Sequence, residues 1–200
     1  MNIKEDKVVD QLELNEARTN PEFLSYLDVR QKEVMESRSI SGLYEVLDTL
    51  LVLDLDENRV HKVYEEILKI SFDSIEDRLK DEKKLSLDGD DIFYIRSFYE
   101  HSIEKWSLGN FDGAKELFFI LTQIVEDQTL VDSIKVHLIA CSKKIDMDTF
   151  YEEKMIHEQP NVEDKYGYFI MHYQFETSKY LNENSSILDK EYENLKHLLK

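Results

Sequence analysis

Two hundred residues suffice for one domain with a real core, and 42% hydrophobic residues supply the material for it. A net charge of -18, with no basic stripe, argues against binding to nucleic-acid phosphates or to an anionic membrane surface. Five glycines and two prolines, set among many Leu, Ile, Glu and Lys, predict an all-α chain with short connections.

The first stretch, Met1-Asn2-Ile3-Lys4-Glu5-Asp6, lacks the basic start and apolar run of a signal peptide. No apolar stretch approaches the roughly 20 residues that span a bilayer. The lone cysteine, Cys141, cannot pair within the chain, which fits a reducing compartment. A cytoplasmic protein without membrane insertion is expected.

Residues 1–20 are polar and weakly periodic, and read as a mobile arm or a poorly anchored helix. Asn20-Pro21 is a helix start, followed by Phe23, Leu24, Leu27 and Val34. Ser39 and Ser41 offer caps for a strong stripe of Ile40, Leu43, Val46, Leu47, Leu50 and Leu51. Asp54-Leu55-Asp56 interrupts it. Val60, Val63, Tyr64, Ile67 and Leu68 form the next stripe, which Phe72, Ile75 and Leu79 continue after a turn near Ser71. Residues 80–90 are charged and aperiodic and mark an internal boundary. The resulting organisation is an arm at 1–20, an N-terminal helical subdomain at 21–84 and a second helical subdomain at 85–200.

From Asp91 the pattern strengthens. Ile92, Ile95, Tyr99, Ser102 and Trp106 share a face, with Phe93, Phe98 and Ile103 on others, so this helix is buried between neighbours. It ends at Gly109. Asn110 caps a helix carrying Phe111, Ala114, Leu117, Phe118 and Leu121. Leu130, Val131, Ile134, Leu138 and Cys141 mark another, and Asp146 caps a fourth with Met147, Phe150, Tyr151 and Met155. After Gln159-Pro160-Asn161, a long aromatic helix is predicted from Val162 through Tyr166, Phe169, Ile170, Tyr173, Thr177 and Tyr180. Leu188, Tyr192, Leu195 and Leu199 close the chain.

The segment from Trp106 to Phe118, with Gly109 and Asn110 at its turn, resembles a tetratricopeptide repeat. The repeat would begin near Ile95, with small positions at Ser102 and Ala114 and the aromatic at Phe118. A second, degenerate unit would begin near Thr129 and reach Pro160; its positions answering to Ala114 and Phe118 are Asp148 and Glu152. Small acidic proteins of this build resemble bacterial secretion chaperones. The block Tyr99–Trp106 is also similar to uncharacterised bacterial helical proteins. The resemblance implies a TPR-like C-terminal half that binds another protein.

Several chemical groupings have plainer readings beside them. Asp54, Asp56, Asn58 and Glu65 match positions of a calcium-binding EF-hand loop, but Arg59 stands where that loop needs glycine, so an acidic helix cap is favoured. His137 and Cys141 lie one helical turn apart on an apolar stripe, which favours a core position. Glu100 and Glu104 flank His101 and could serve acid–base chemistry if buried, but a solvated helix face is favoured. No phosphate-cradling glycine loop, nucleophile elbow or zinc pattern is present.

Two readings follow. The first is a non-catalytic adaptor or chaperone-like module that holds a peptide or helix of another protein in a groove, with Tyr94, Phe98, His101, Tyr168 and His172 lining it. It needs no cofactor and no metal, and residues 21–79 could also support a homodimer. The second is an enzyme or metal-binding bundle using His137, Cys141, Glu100 and Glu104.

Overall fold

The structure, a computed structural model, describes residues 11–81, 83–156 and 164–199. Those residues are all-α apart from isolated backbone bridges, and adjacent helices pack as hairpins. The helices are α1 (Gln11–Thr19), α2 (Pro21–Ser37), α3 (Ile40–Val52), α4 (Glu57–Lys80), α5 (Asp91–Ser107), α6 (Phe111–Ile124), α7 (Gln128–Ser142), α8 (Met147–Lys154), α9 (Thr177–Glu183) and α10 (Ser185–Leu195). Among the described residues, no helix is long and apolar enough to cross a membrane.

The chain divides into two compact units, Met1–Ile70 and Ser71–Lys200. The division falls inside α4, which runs unbroken through Ser71 where the sequence suggested a turn.

In the first unit, the Asn20 side chain accepts from Glu22 N (2.9 Å) and Phe23 N (3.2 Å), and Pro21 opens α2. Ser39 caps α3 through Gly42 N. Gly42 is needed for the approach of α2 to α3: a Cβ there would stand 2.6 Å from Val34 Cγ1. The half of the 1–20 segment that is described, 11–19, is a helix, and Arg18 ties it down by donating to the Leu53 carbonyl (2.6 Å). Residues 1–10 of the predicted arm lie outside the described residues.

In the second unit, α5 packs on α6, α6 on α7, and α7 on α9 and α10, while α8 returns onto α5. Ser102 and Ala114, the small positions expected between α5 and α6, are fully buried. The Ser102 hydroxyl donates to the Phe98 carbonyl within its own helix. The segment 83–90 is a loop, as its composition suggested, yet it belongs inside this unit. Leu85 donates to Ile124 O and accepts from Glu126 N, and Leu85 and Leu87 enter the core.

The helix expected from 162 to 180 does not form. Residues 157–163 lie outside the described residues; 164–166 make one 3-10 turn, and a helix resumes only at Thr177. The stretch between is made of turns and bends, with Met155 and Tyr173 bridged as an antiparallel pair. Its backbone groups find other partners: Ile170 N donates to the Tyr99 hydroxyl (2.9 Å), and Ile170 O accepts from Ser133 Oγ (2.9 Å). Supplying those bonds from distant side chains removes the penalty for leaving the helix.

Candidate functional site

On α5, Tyr94, Phe98 and His101 lie at i, i+4 and i+7 and so share a face. Phe98 is buried at 1% exposure, its ring centroid 4.6 Å from that of Phe72. It is therefore a core residue rather than an accessible groove residue, which corrects the reading from periodicity. Phe72, which that reading assigned to a stripe, is 45% exposed and also meets the His101 ring edge-on. His101 Nδ1 hydrogen-bonds Glu104 Oε2 at 2.9 Å.

Tyr168 and His172 lie in the non-helical stretch between Tyr166 and Thr177. Tyr168 is 41% exposed and lies under the Arg96 guanidinium, 4.2 Å from its ring centroid. Arg96 Nε in turn donates to Glu100 Oε1 at 2.7 Å. Positions 96 and 100 are on the opposite side of α5 from 94 and 98, at about 100° per residue. His172 is half-buried at the Met155–Tyr173 pairing, where its carbonyl accepts from Ile156 N. Phe98 and His101 thus meet at Phe72 on one side of α5, whereas Tyr168 lies against Arg96 on the other side and His172 at the Met155–Tyr173 pairing.

His137 is fully buried, with ring contacts to Tyr99, Trp106, Phe118, Phe150 and Tyr173. Its Nε2 shares a hydrogen bond with the Tyr173 hydroxyl (3.2 Å), and that hydroxyl also meets Ser133 Oγ at 2.5 Å. Burial alone pushes the imidazole down to about 3, so it is neutral at physiological pH. Cys141 is buried too, and burial raises its thiol, outweighing the opposing charge of Lys115. A neutral imidazole and an un-ionised thiol inside an aromatic core are packing groups. Glu100 is paired with Arg96 and Glu104 with His101.

The acidic run after α3 behaves as a cap. Asp54 takes a left-handed conformation (φ 48°), and Asp56 Oδ1 accepts from Asn58 N (2.9 Å) at the start of α4. Glu65 lies nine residues further along that helix, about 13 Å away at 1.5 Å per residue, so it does not join Asp56 around one ion. No group of three or more His, Cys, Asp or Glu suited to a metal occurs among the described residues.

The open apolar surface lies elsewhere. In the first unit, Ala17, Phe23, Val52 and Leu53 line a groove of about 300 Å³ between α1, α2 and α3, with Asp48 and Thr49 on its wall. Val52 is 57% exposed and its neighbour Leu51 55%. The Phe23 ring continues to Tyr26 along α2, centroids 6.4 Å apart. Leu51, which periodicity placed in the buried stripe of α3, is exposed instead, and periodicity gave no signal for Val52. The wall bearing Ala17 was missed because 11–19 was too polar to read as a packed helix.

No family model, curated protein or solved structure matches this chain.

Proposed function

We propose that this chain is a non-catalytic helical adaptor or chaperone-like module that holds a segment of another protein in the α1–α3 groove. The carrying observation is that groove: apolar lining, more than half of Val52 in solvent, and a volume about twice the ~150 Å³ that accommodates a benzene ring. Large apolar side chains left open beside a concave surface mark interaction sites. A repeat-like pairing of α5 with α6 in the second unit is part of the same proposal, supported by the close contact of those two helices and the burial of Ser102 and Ala114. The alternative of an enzyme or metal protein built on His137, Cys141, Glu100 and Glu104 draws no support from their surroundings.

The test is site-specific photo-crosslinking in the native cell, with the reactive side chain placed at position 52 and, as control, at Leu108, which is 77% exposed in the α5–α6 turn. One polypeptide crosslinked from position 52 and not from 108 is expected. Equal adducts from both positions, or none from 52, would remove the proposal.

A further inference from the structure

We infer that the α1–α3 groove takes the apolar face of a basic amphipathic helix, with an aliphatic or aromatic anchor between Phe23 and Val52 and Lys or Arg side chains along its acidic rim. The inference rests on the groove being a binding surface and adds the chemistry of its occupant. Shape sets the first half of it. A groove of about 300 Å³ lined by Ala17, Phe23, Val52 and Leu53 has room for one or two large side chains, as an amphipathic helix presents at i and i+3 or i+4.

Charge sets the second half. Asp48 lines the groove. Glu13 stands one turn before Ala17 on α1, and Glu22 precedes Phe23 on α2. The basic residues between 11 and 56 are Arg18, Arg30, Lys32 and Arg38, and all are engaged. Arg18 bonds Leu53 O, Arg30 bonds Glu45 at 2.8 Å, and Lys32 and Arg38 pair with Glu36 and Glu66. Ten acidic residues fall in the same span. Two copies of this face would bring like charges together, and nucleic acid or anionic lipid would do the same, so a cationic polypeptide is the complementary occupant.

The experiment titrates the full chain into a fluorescent peptide of about 14 Leu and Lys residues patterned as an amphipathic helix, and into a peptide of the same composition in scrambled order, at about 0.15 M salt. The patterned peptide is expected to bind at least about tenfold tighter than the scrambled one. The uncharged substitution Val52→Asn, at an exposed position, is expected to remove that preference, whereas Leu108→Asn leaves it intact. Backbone amide shifts should change at 17, 23 and 48–53. Equal binding of the two peptides, an unaffected Val52→Asn variant, or a homodimer that Val52→Asn dissociates would overturn the inference. A partner crosslinked from position 52 through an acidic or uncharged segment would overturn it while leaving the adaptor proposal standing.

Discussion

A histidine enclosed by five aromatic rings is held neutral, because its charged form would have neither water nor a counter-ion. His137 therefore links stability to pH. Its folded value, about 3, lies below the ordinary 6.5, so between those values the unfolded chain binds a proton that the folded chain does not. The stabilisation is complete above pH 6.5 and falls as the pH drops towards 3. Between pH 7 and pH 5 the loss is about 2 kcal/mol, at 1.36 kcal/mol per pH unit below the unfolded value. Trp106 is the chain's sole tryptophan; it is buried beside His137 and donates to Ile145 O, so its fluorescence reports on this core. Urea unfolding at both pH values should show His137→Gln losing about 2 kcal/mol less than the wild type; equal losses would mean another group titrates. At the α5–α6 contact, Ser102 bonds only within its own helix, so Ser102→Ala should change stability by under about 0.5 kcal/mol. Ala114→Leu should cost about 1–3 kcal/mol, because that position is fully buried in the core between helices. A tolerated leucine there would show that the two helices are not closely apposed.

Three turns in this chain close in one way. At Asp54, Gly109 and Lys144 the backbone is left-handed (φ 48°, 73° and 55°), the next residue's N–H reaches back to the carbonyl five positions earlier, and the turn residue's own N–H bonds three positions back. This is the Schellman closure, which glycine adopts without steric cost. A Cβ at Gly109 would meet nothing within 4 Å, so the cost of Gly109→Ala is conformational, about 1 kcal/mol. Lys144→Gly relieves the same strain and should stabilise by about 0.5–1 kcal/mol. Thermal melts of the two variants should shift in opposite directions; shifts of one sign would show that the turns are not equivalent. These hairpins were legible in the sequence because each carries its own start and stop: Asn20, Ser39, Asn110 and Asp146 cap helices whose apolar stripes keep helical spacing. The segment 164–176 was not legible. Tyr166, Phe169 and Tyr173 are spaced like a helix, while the groups that hold this segment out of one, Tyr99, Ser133 and Asp127, are more than 30 residues away. The groove was not legible for a related reason: periodicity put Leu51 in the α3 stripe, although it is exposed, and the wall bearing Ala17 depends on one long-range bond from Arg18 to Leu53 O.

Charge acts on the molecule as a whole. With 43 acidic and 25 basic residues, one-to-one pairing with Lys or Arg would still leave acids unpaired. Many of the ion pairs also join neighbours on a single helix, as Lys80–Glu76 and Lys179–Glu183 do, and such exposed pairs contribute little. The folded chain therefore repels itself more than the expanded one does. Raising the salt shortens the reach of that repulsion, from about 30 Å at 0.01 M to about 8 Å at 0.15 M. The melting temperature should rise over this range, by about 2–4 °C for each 1 kcal/mol of repulsion relieved in a chain of this size. A fall would mean that the ion pairs outweigh the surplus. The same screening weakens attraction between the acidic rim and a cationic helix, so affinity for the patterned Leu/Lys peptide should decline over the range in which stability increases. The apolar contact with Val52 is not screened, so the preference for patterned over scrambled sequence should outlast the loss of affinity. If salt abolished that preference along with the affinity, charge alone would account for the binding and the groove would have no part in it.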